Sequence, residues 1–152
     1  MKRNPHLIPL SWDHHTGLTI AKRLKEGAET GESEERLRSY AVRHWQEHLE
    51  RHFRVEEALL PRLLEGTAEG RDLNDRLFRE HAEIRMQLDG LEREEAPTGW
   101  PVALAASLRS HIQFEERVYF PAIEETASEA ELAGLGDVLH REYRRTDPRV
   151  GL

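Results

Sequence analysis

The sequence predicts an all-α fold: an antiparallel up-down-up-down four-helix bundle with a short extra C-terminal helix. Three observations carry the prediction. Four long segments repeat apolar residues at helical steps, the breaks between them are short and marked by Gly or Pro, and no segment alternates as a strand does. Short connections leave successive helices side by side and running in opposite directions. With 152 residues, 38% of them hydrophobic, the chain can fill one small helical core. A single domain over residues 1–152 is therefore expected, with the bundle at about 10–125 and the extra helix at about 128–143.

The first helix is expected from Ser11 to about Glu26, with Ser11 or Asp13 near its cap and Gly27, Thr30 and Gly31 closing it. Ser33, with Glu35 and Arg36 behind it, opens a longer second helix running to about Glu65, with a kink or early end at Pro61 and a stop at Gly66. The third runs from Arg71 to about Glu95, with Leu73, Leu77, Phe78, Ile84, Leu88 and Leu91 near one stripe. Pro97, Thr98, Gly99 and Pro101 then break the chain. A fourth helix runs from about Pro101 to Glu125, and Pro121 disturbs its last turns. Ser128 to about Tyr143 forms the extra helix, with Leu132, Leu135 and Leu139 along its apolar edge, and Asp147-Pro148 begins a frayed tail.

Composition narrows the function classes. Charged residues make up 34% with both signs interspersed, as on solvated helix faces, and the net charge is -7 with no long block of Lys or Arg. Nucleic acid and anionic membrane surfaces are thereby excluded as main partners. There are no cysteines, so disulfides, iron-sulfur clusters and thiolate zinc sites are ruled out and any metal must be held by nitrogen and oxygen. The opening MKRNPHLIPLSWDHH lacks the apolar run of a signal peptide, and no later stretch could span a bilayer. A cytoplasmic location is expected. Nine histidines are the one compositional excess.

Their spacing supplies a reason. HFRVEEALLP, from His52 to Pro61, and HIQFEERVYFP, from His111 to Pro121, each set a histidine four residues before a glutamate on a helical segment. Imidazole and carboxylate then sit one above the other on one face. At about 100° per residue, Trp45, Leu49, Glu56, Leu59 and Leu63 fall on the same side as His52, and Leu104, Leu108, Glu115, Val118 and Ala122 on the same side as His111. Both pairs thus face the core. His81 shares its stripe with Leu77, Phe78 and Leu88. In the first helix His14 falls in the arc of Leu10, Gly17, Leu18, Ala21 and Leu24, whereas His15, the alternative, is rotated toward Thr19 and Lys22. Glu57 and Glu116 point outward or support the site from behind. His44 and His48 drift off the His52 direction, toward solvated or interhelical hydrogen-bonding roles, with His44 at an edge and, for His48, a hydrogen bond to the back of a ligand or a place on an access route as the alternatives; Tyr119 is a packing residue whose hydroxyl needs a partner. Gly17 and Ala21 are small enough to leave a passage.

Burying the two carboxylates and two imidazoles of these pairs without partners would cost several kcal/mol, which makes a shared cation the natural explanation. His14, His52, Glu56, His81, His111 and Glu115 exceed the needs of one tetrahedral zinc. They suit two transition ions bridged by both carboxylates, each ion taking two histidines and one oxygen from each glutamate. With an oxo or hydroxo bridge added, each keeps an open position, the setting in which non-haem iron meets dioxygen, nitric oxide or peroxide.

This arrangement, with HFxxEExxLLP and HxxFEExxxFP around the paired residues, resembles the hemerythrin-like HHE cation-binding family over nearly the whole chain, from about Leu10 to about Glu125. The resemblance implies an antiparallel four-helix bundle around a di-iron centre with two bridging carboxylates, and ligand roles for those six residues. Oxygen-carrying hemerythrins add a fifth histidine a turn from the third-helix ligand and use a late aspartate. Here Leu77, Phe78, Ile84 and Arg85 flank His81, and the last carboxylate is Glu115. The pattern is closer to the four-histidine, two-glutamate branch, which includes proteins of iron-centre repair after nitrosative stress, although those usually bring a cysteine-bearing extra domain. The expected function is a di-iron protein that binds or senses a small diatomic ligand or peroxide, or handles iron. Two other readings stand beside it. One is a di-iron enzyme acting on nitric oxide, peroxide or ferrous iron, served by an electron donor; the other is a structural bundle holding zinc or no metal. Ferritin-like carboxylate enzymes use Glu-x-x-His, and no histidine here has a glutamate three residues before it. The sequence sets no oligomeric state.

Overall fold

The structure, a computed structural model, describes residues 3–146, with side chains to Tyr143; the expected frayed tail at Asp147-Pro148 lies outside the described residues. Helices are the only regular elements among the described residues, and they form five rods. The first is α1 (Ile8–Glu29), entered through a 3-10 turn, Pro5–Leu7. The second joins α2 (Glu34–His44) to α3 (Glu50–Leu59) through a π-helical stretch, Trp45–Leu49. The third is α4 (Ala68–Glu92). The fourth joins α5 (Trp100–Phe114) to α6 (Phe120–Thr126) through a second π-helical stretch, Glu115–Tyr119, and the fifth is α7 (Glu129–Thr146).

The ends follow local chemistry. The α1 rod begins ahead of the expected Ser11, because Pro9 sits in the first turn, where its missing N–H costs nothing. Asp13 is thus a buried mid-helix residue and not a cap. Ser33 Oγ accepts from the Arg36 N–H at 3.2 Å, and Thr67 Oγ1 from that of Gly70 at 3.0 Å. The second rod stops at Leu59, two residues before Pro61, which leads a 3-10 turn, Pro61–Leu63. Gly99, at φ 84°, turns the chain into α5. Ser128 and Glu131 exchange side chain to backbone bonds of 2.9 and 3.1 Å, a capping box that starts α7.

Two apolar clusters fill the interior. One takes Ile20, Ala21 and Leu24 from α1, Trp45, Leu49 and Phe53 from the second rod, Ile84, Leu88 and Leu91 from α4, and Leu104 and Leu108 from α5. The other takes Leu7 and Leu10, then Leu60 and Leu64, Leu77, and Phe114, Tyr119, Phe120 and Ile123, with Leu132, Leu135, Leu139 and Tyr143 from α7 closing it. Along each of the first four rods the switch from one cluster to the other falls at the buried histidines and glutamates.

Several expected core positions differ. Val118 is 42% exposed and Tyr119 is fully buried, because the π stretch adds a residue to the turn and rotates everything after Glu115; Ile123 replaces Ala122 in the core for the same reason. Leu60 and Leu64 are buried in preference to Leu59 and Leu63, since the chain leaves α-helical phase after Leu59. Leu18 and Phe78, 40% and 44% exposed, lie on the flanks of inward faces narrower than the periodicity implies. Gly17 opens no passage. A Cβ there would come within 2.8 Å of Ile112 Cδ1, so the glycine serves the close approach of α1 to α5.

Candidate metal centre

Between the two clusters lies a charged layer. His14, His52, Glu56, His81, His111 and Glu115 meet there, none more than 4% exposed. His15 is at the surface. The six divide into two groups that could each hold a metal ion: His14, His52, Glu56 and Glu115, and then Glu56, His81, His111 and Glu115. Within each group one ligand atom per residue lies within 4.8 Å of the others. Glu56 faces both ways, with Oε2 3.2 Å from His52 Nε2 and Oε1 3.2 Å from His81 Nε2. Glu115 Oε1 lies 2.8 Å from His14 Nε2 and 3.2 Å from His111 Nε2.

Both oxygens of Glu56, Oε2 of Glu115 and the Nε2 atoms of His52, His81 and His111 are buried without a hydrogen-bond partner. The Glu56 oxygens stand 3.2 Å from the Nε2 atoms of His52 and His81, and Glu115 Oε2 4.0 Å from His81 Nε2, without hydrogen bonds, as ligand atoms do when they converge on a common cation. Around a cation with bonds of about 2.1 Å, neighbouring donors at right angles sit about 3 Å apart. The residues present therefore fit a metal pair.

Every imidazole is held from behind by a carboxylate. Nδ1 of His14 lies 2.6 Å from Glu116 Oε2 and that of His81 2.7 Å from Glu57 Oε2. Nδ1 of His52 is 3.1 Å from Asp13 Oδ2, and that of His111 is 2.8 Å from Glu80 Oε1. Each carboxylate keeps a proton on Nδ1 and turns the Nε2 lone pair into the layer. The pattern has an approximate two-fold repeat. Asp13 precedes His14 as Glu80 precedes His81, Glu57 follows Glu56 as Glu116 follows Glu115, and Phe120 stacks on His14 as Phe53 stacks on His81, at 5.2 and 3.9 Å.

The two halves differ at their outer edges. Asp13 accepts from the Tyr143 hydroxyl at 2.5 Å and has the Arg51 guanidinium at 3.6 Å, so α7 buttresses the His52 side. Glu80 is held by Arg76 at 2.8 Å beside a surface cleft of about 250 Å³, lined by Glu80, Glu83, Ile84, Ala106, Ser107, Ser110 and His111. Tyr119, next to Glu56 and Glu115, donates to Asn74 Oδ1 at 2.7 Å. Sequence spacing does not single out Asp13, Asn74, Glu80 or Tyr143. The signal for two of them is the acid immediately before His14 and His81.

Electrostatics runs against burial. Burial pulls His14, His52 and His111 toward the neutral form, but Glu115 and Glu116 raise His14, Glu56 with Tyr143, Asp13 and Glu115 raises His52, and Glu115 and Glu80 raise His111 to about 10. Burial likewise opposes ionisation of Glu115, yet His111 and His14 hold it well below the carboxylate range. The layer demands positive charge, which protons or cations supply.

Asp13 and Glu57 give this a pH signature in the metal-free protein. Burial would raise both, but His52, Tyr143 and Arg51 hold Asp13 at about 2, and His81 and Arg85 hold Glu57 at about 2, against ordinary values of 3.8 and 4.5. A depressed carboxylate stabilises the fold above its unfolded value and loses that contribution as pH falls toward its folded one. His111 is protonated in both states across this range and adds no slope. Thermal melts should therefore fall between about pH 4.5 and about 2, and the Glu57→Gln protein should show a shallower fall.

No curated protein and no solved structure matches the chain. The family model described as the Hemerythrin HHE cation binding domain matches residues 10–123, a span that begins at Leu10 and ends at Ile123 and so takes in all six residues of the layer. On that match the chain belongs to the hemerythrin HHE cation-binding domain family.

Proposed function

We propose that this is a non-haem di-iron protein that binds a small molecule, dioxygen, nitric oxide or peroxide, or holds iron, with His14, His52, Glu56, His81, His111 and Glu115 as ligands and Glu56 and Glu115 shared between the two ions. The observation that carries the reading is the set of six buried donor atoms with no hydrogen-bond partner, contributed by five of those residues. A nitrogen and oxygen donor set rich in carboxylate and without sulfur is one in which non-haem iron is held. Two irons bound there would supply redox chemistry and vacant coordination positions for a small ligand. The order of core residues along the rods, alternating between the two clusters, supports the up-down-up-down path.

The chain's own residues do the rest. Asp13, Glu57, Glu80 and Glu116 fix the imidazole tautomers and orient the rings. Phe53 and Phe120 cover two of the rings and exclude bulk water. The burial of the layer restricts access to small molecules, and the cleft beside His111 is the approach. Among the described residues no helix is long and apolar enough to cross a membrane.

Anaerobic loading with ferrous iron should give about two irons per chain and, after exposure to oxygen, near-ultraviolet charge-transfer absorption. A chain that remains helical yet takes up no iron would overturn the reading. Stopped-flow mixing of the loaded protein with oxygen, nitric oxide and peroxide then separates a reversible adduct from turnover.

A further inference from the structure

Outside the buried layer, His44, Glu47 and His48 form a third group able to present one ligand atom each within 4.8 Å. His44 ends α2, while Glu47 and His48 lie within the π stretch Trp45–Leu49. The two imidazoles stack with centroids 5.8 Å apart and planes 22° apart, and His48 Nε2 is 3.9 Å from Glu47 Oε2. Nδ1 of His44 is buried and has no hydrogen-bond partner. The Tyr40 ring packs against the same imidazole at 4.4 Å. Burial, with Arg43 and His48 adding to it, pushes His44 below its ordinary value, so its ring offers a lone pair at neutral pH.

We propose that His44, Glu47 and His48 bind one divalent cation of the borderline class, zinc, nickel or copper, at a site separate from the buried layer. Two imidazole nitrogens and one carboxylate oxygen form the donor set of an open zinc site, with water completing the shell. Divalent first-row ions bind such a set in an order that favours nickel, copper and zinc over iron. His44 and His48 are half-buried and Glu47 is exposed, so the group opens to solvent on its Glu47 side. Bound there, it spans the widened turn between α2 and α3, one turn ahead of His52.

The test is zinc titration by calorimetry of iron-loaded protein, with iron content measured before and after. The wild-type chain should take up about one further equivalent, and the His44→Asn/His48→Asn chain should bind it more than about tenfold more weakly with iron unchanged. Zinc binding that is the same in both chains, or none beyond the iron sites, overturns the proposal. Glu47→Gln, at an exposed position, decides the matter if the double variant loses helicity: unchanged affinity in that chain also overturns it. The Glu56→Gln chain, whose buried layer is disabled, should retain the zinc equivalent, so this proposal and the di-iron reading fail separately.

Discussion

The Glu56→Gln protein is expected to bind metal in the buried layer more than about 100-fold more weakly, and to lose most of its metal-dependent stability with it. Glu56 is the one side chain whose two oxygens face opposite histidine pairs, Oε2 toward His52 and Oε1 toward His81, both at 3.2 Å. Glutamine keeps the shape but offers one acceptor and one amide nitrogen that carries no lone pair for a cation. One of the two groups is then short of a ligand atom. At a thousandfold excess of ion over its Kd, a bound cation stabilises the fold by about 4 kcal/mol. The metal-loaded wild type should therefore melt well above the metal-free wild type, while at the same ion concentration iron stabilises the variant by no more than about 1.4 kcal/mol, a third of the wild-type gain. A structural bundle would behave in the opposite way. Removing a buried carboxylate would then leave stability unchanged or raise it, so melting curves with and without iron distinguish the cases.

Gly70→Ala should destabilise the protein by about 3 kcal/mol, although helix propensity alone favours alanine by about 1 kcal/mol. Gly70 lies in the first turn of α4 and is buried against the carbonyl of Leu64, which the Pro61–Leu63 turn delivers to that spot. A Cβ at Gly70 would overlap the Leu64 carbonyl oxygen and sit 2.8 Å from its carbonyl carbon. Those are backbone atoms and cannot rotate away. Gly90 is the control, because it lies in the same helix with nothing within 4 Å of a Cβ. Gly90→Ala should stabilise by about 0.5–1 kcal/mol. Chemical denaturation of the two variants should thus move in opposite directions, and two stabilised proteins would show that the Leu64 loop yields.

The four long helices and their breaks are legible because Gly66, Gly99 and Pro101 interrupt otherwise continuous apolar stripes. The inward faces of His52 with Glu56 and His111 with Glu115 are legible because each pair is only one turn long, too short for error in the helical period to accumulate. Beyond one turn it does accumulate. A constant 100° per residue puts Val118 in the core, while the π stretch puts Tyr119 there. Nothing in the residues from Glu115 to Tyr119 announces the extra residue per turn. The start of α1 is misjudged for a different reason: Pro9 marks a first turn as readily as a break, and that choice turns Asp13 from a cap into a buried partner of His52. Its role also depends on Tyr143, which approaches from α7, a contact between residues far apart in sequence that no local pattern encodes.

The charged layer has a further consequence for how the rods settle against one another. Eight polar or charged side chains are buried among the described residues, namely Asp13, His14, His52, Glu56, Asn74, His81, His111 and Glu115, and apolar clusters lie on either side of the layer. Leucines interchange readily along an apolar seam, so two such clusters alone would tolerate a rod sliding lengthwise by one turn, about 5.4 Å. Here that slip would drive an imidazole or a carboxylate into hydrocarbon and strand its former partner, at a cost of several kcal/mol. The layer is thus the axial alignment key of the bundle, and the side chains that could grip a cation are the same ones that fix where along its length each helix stops.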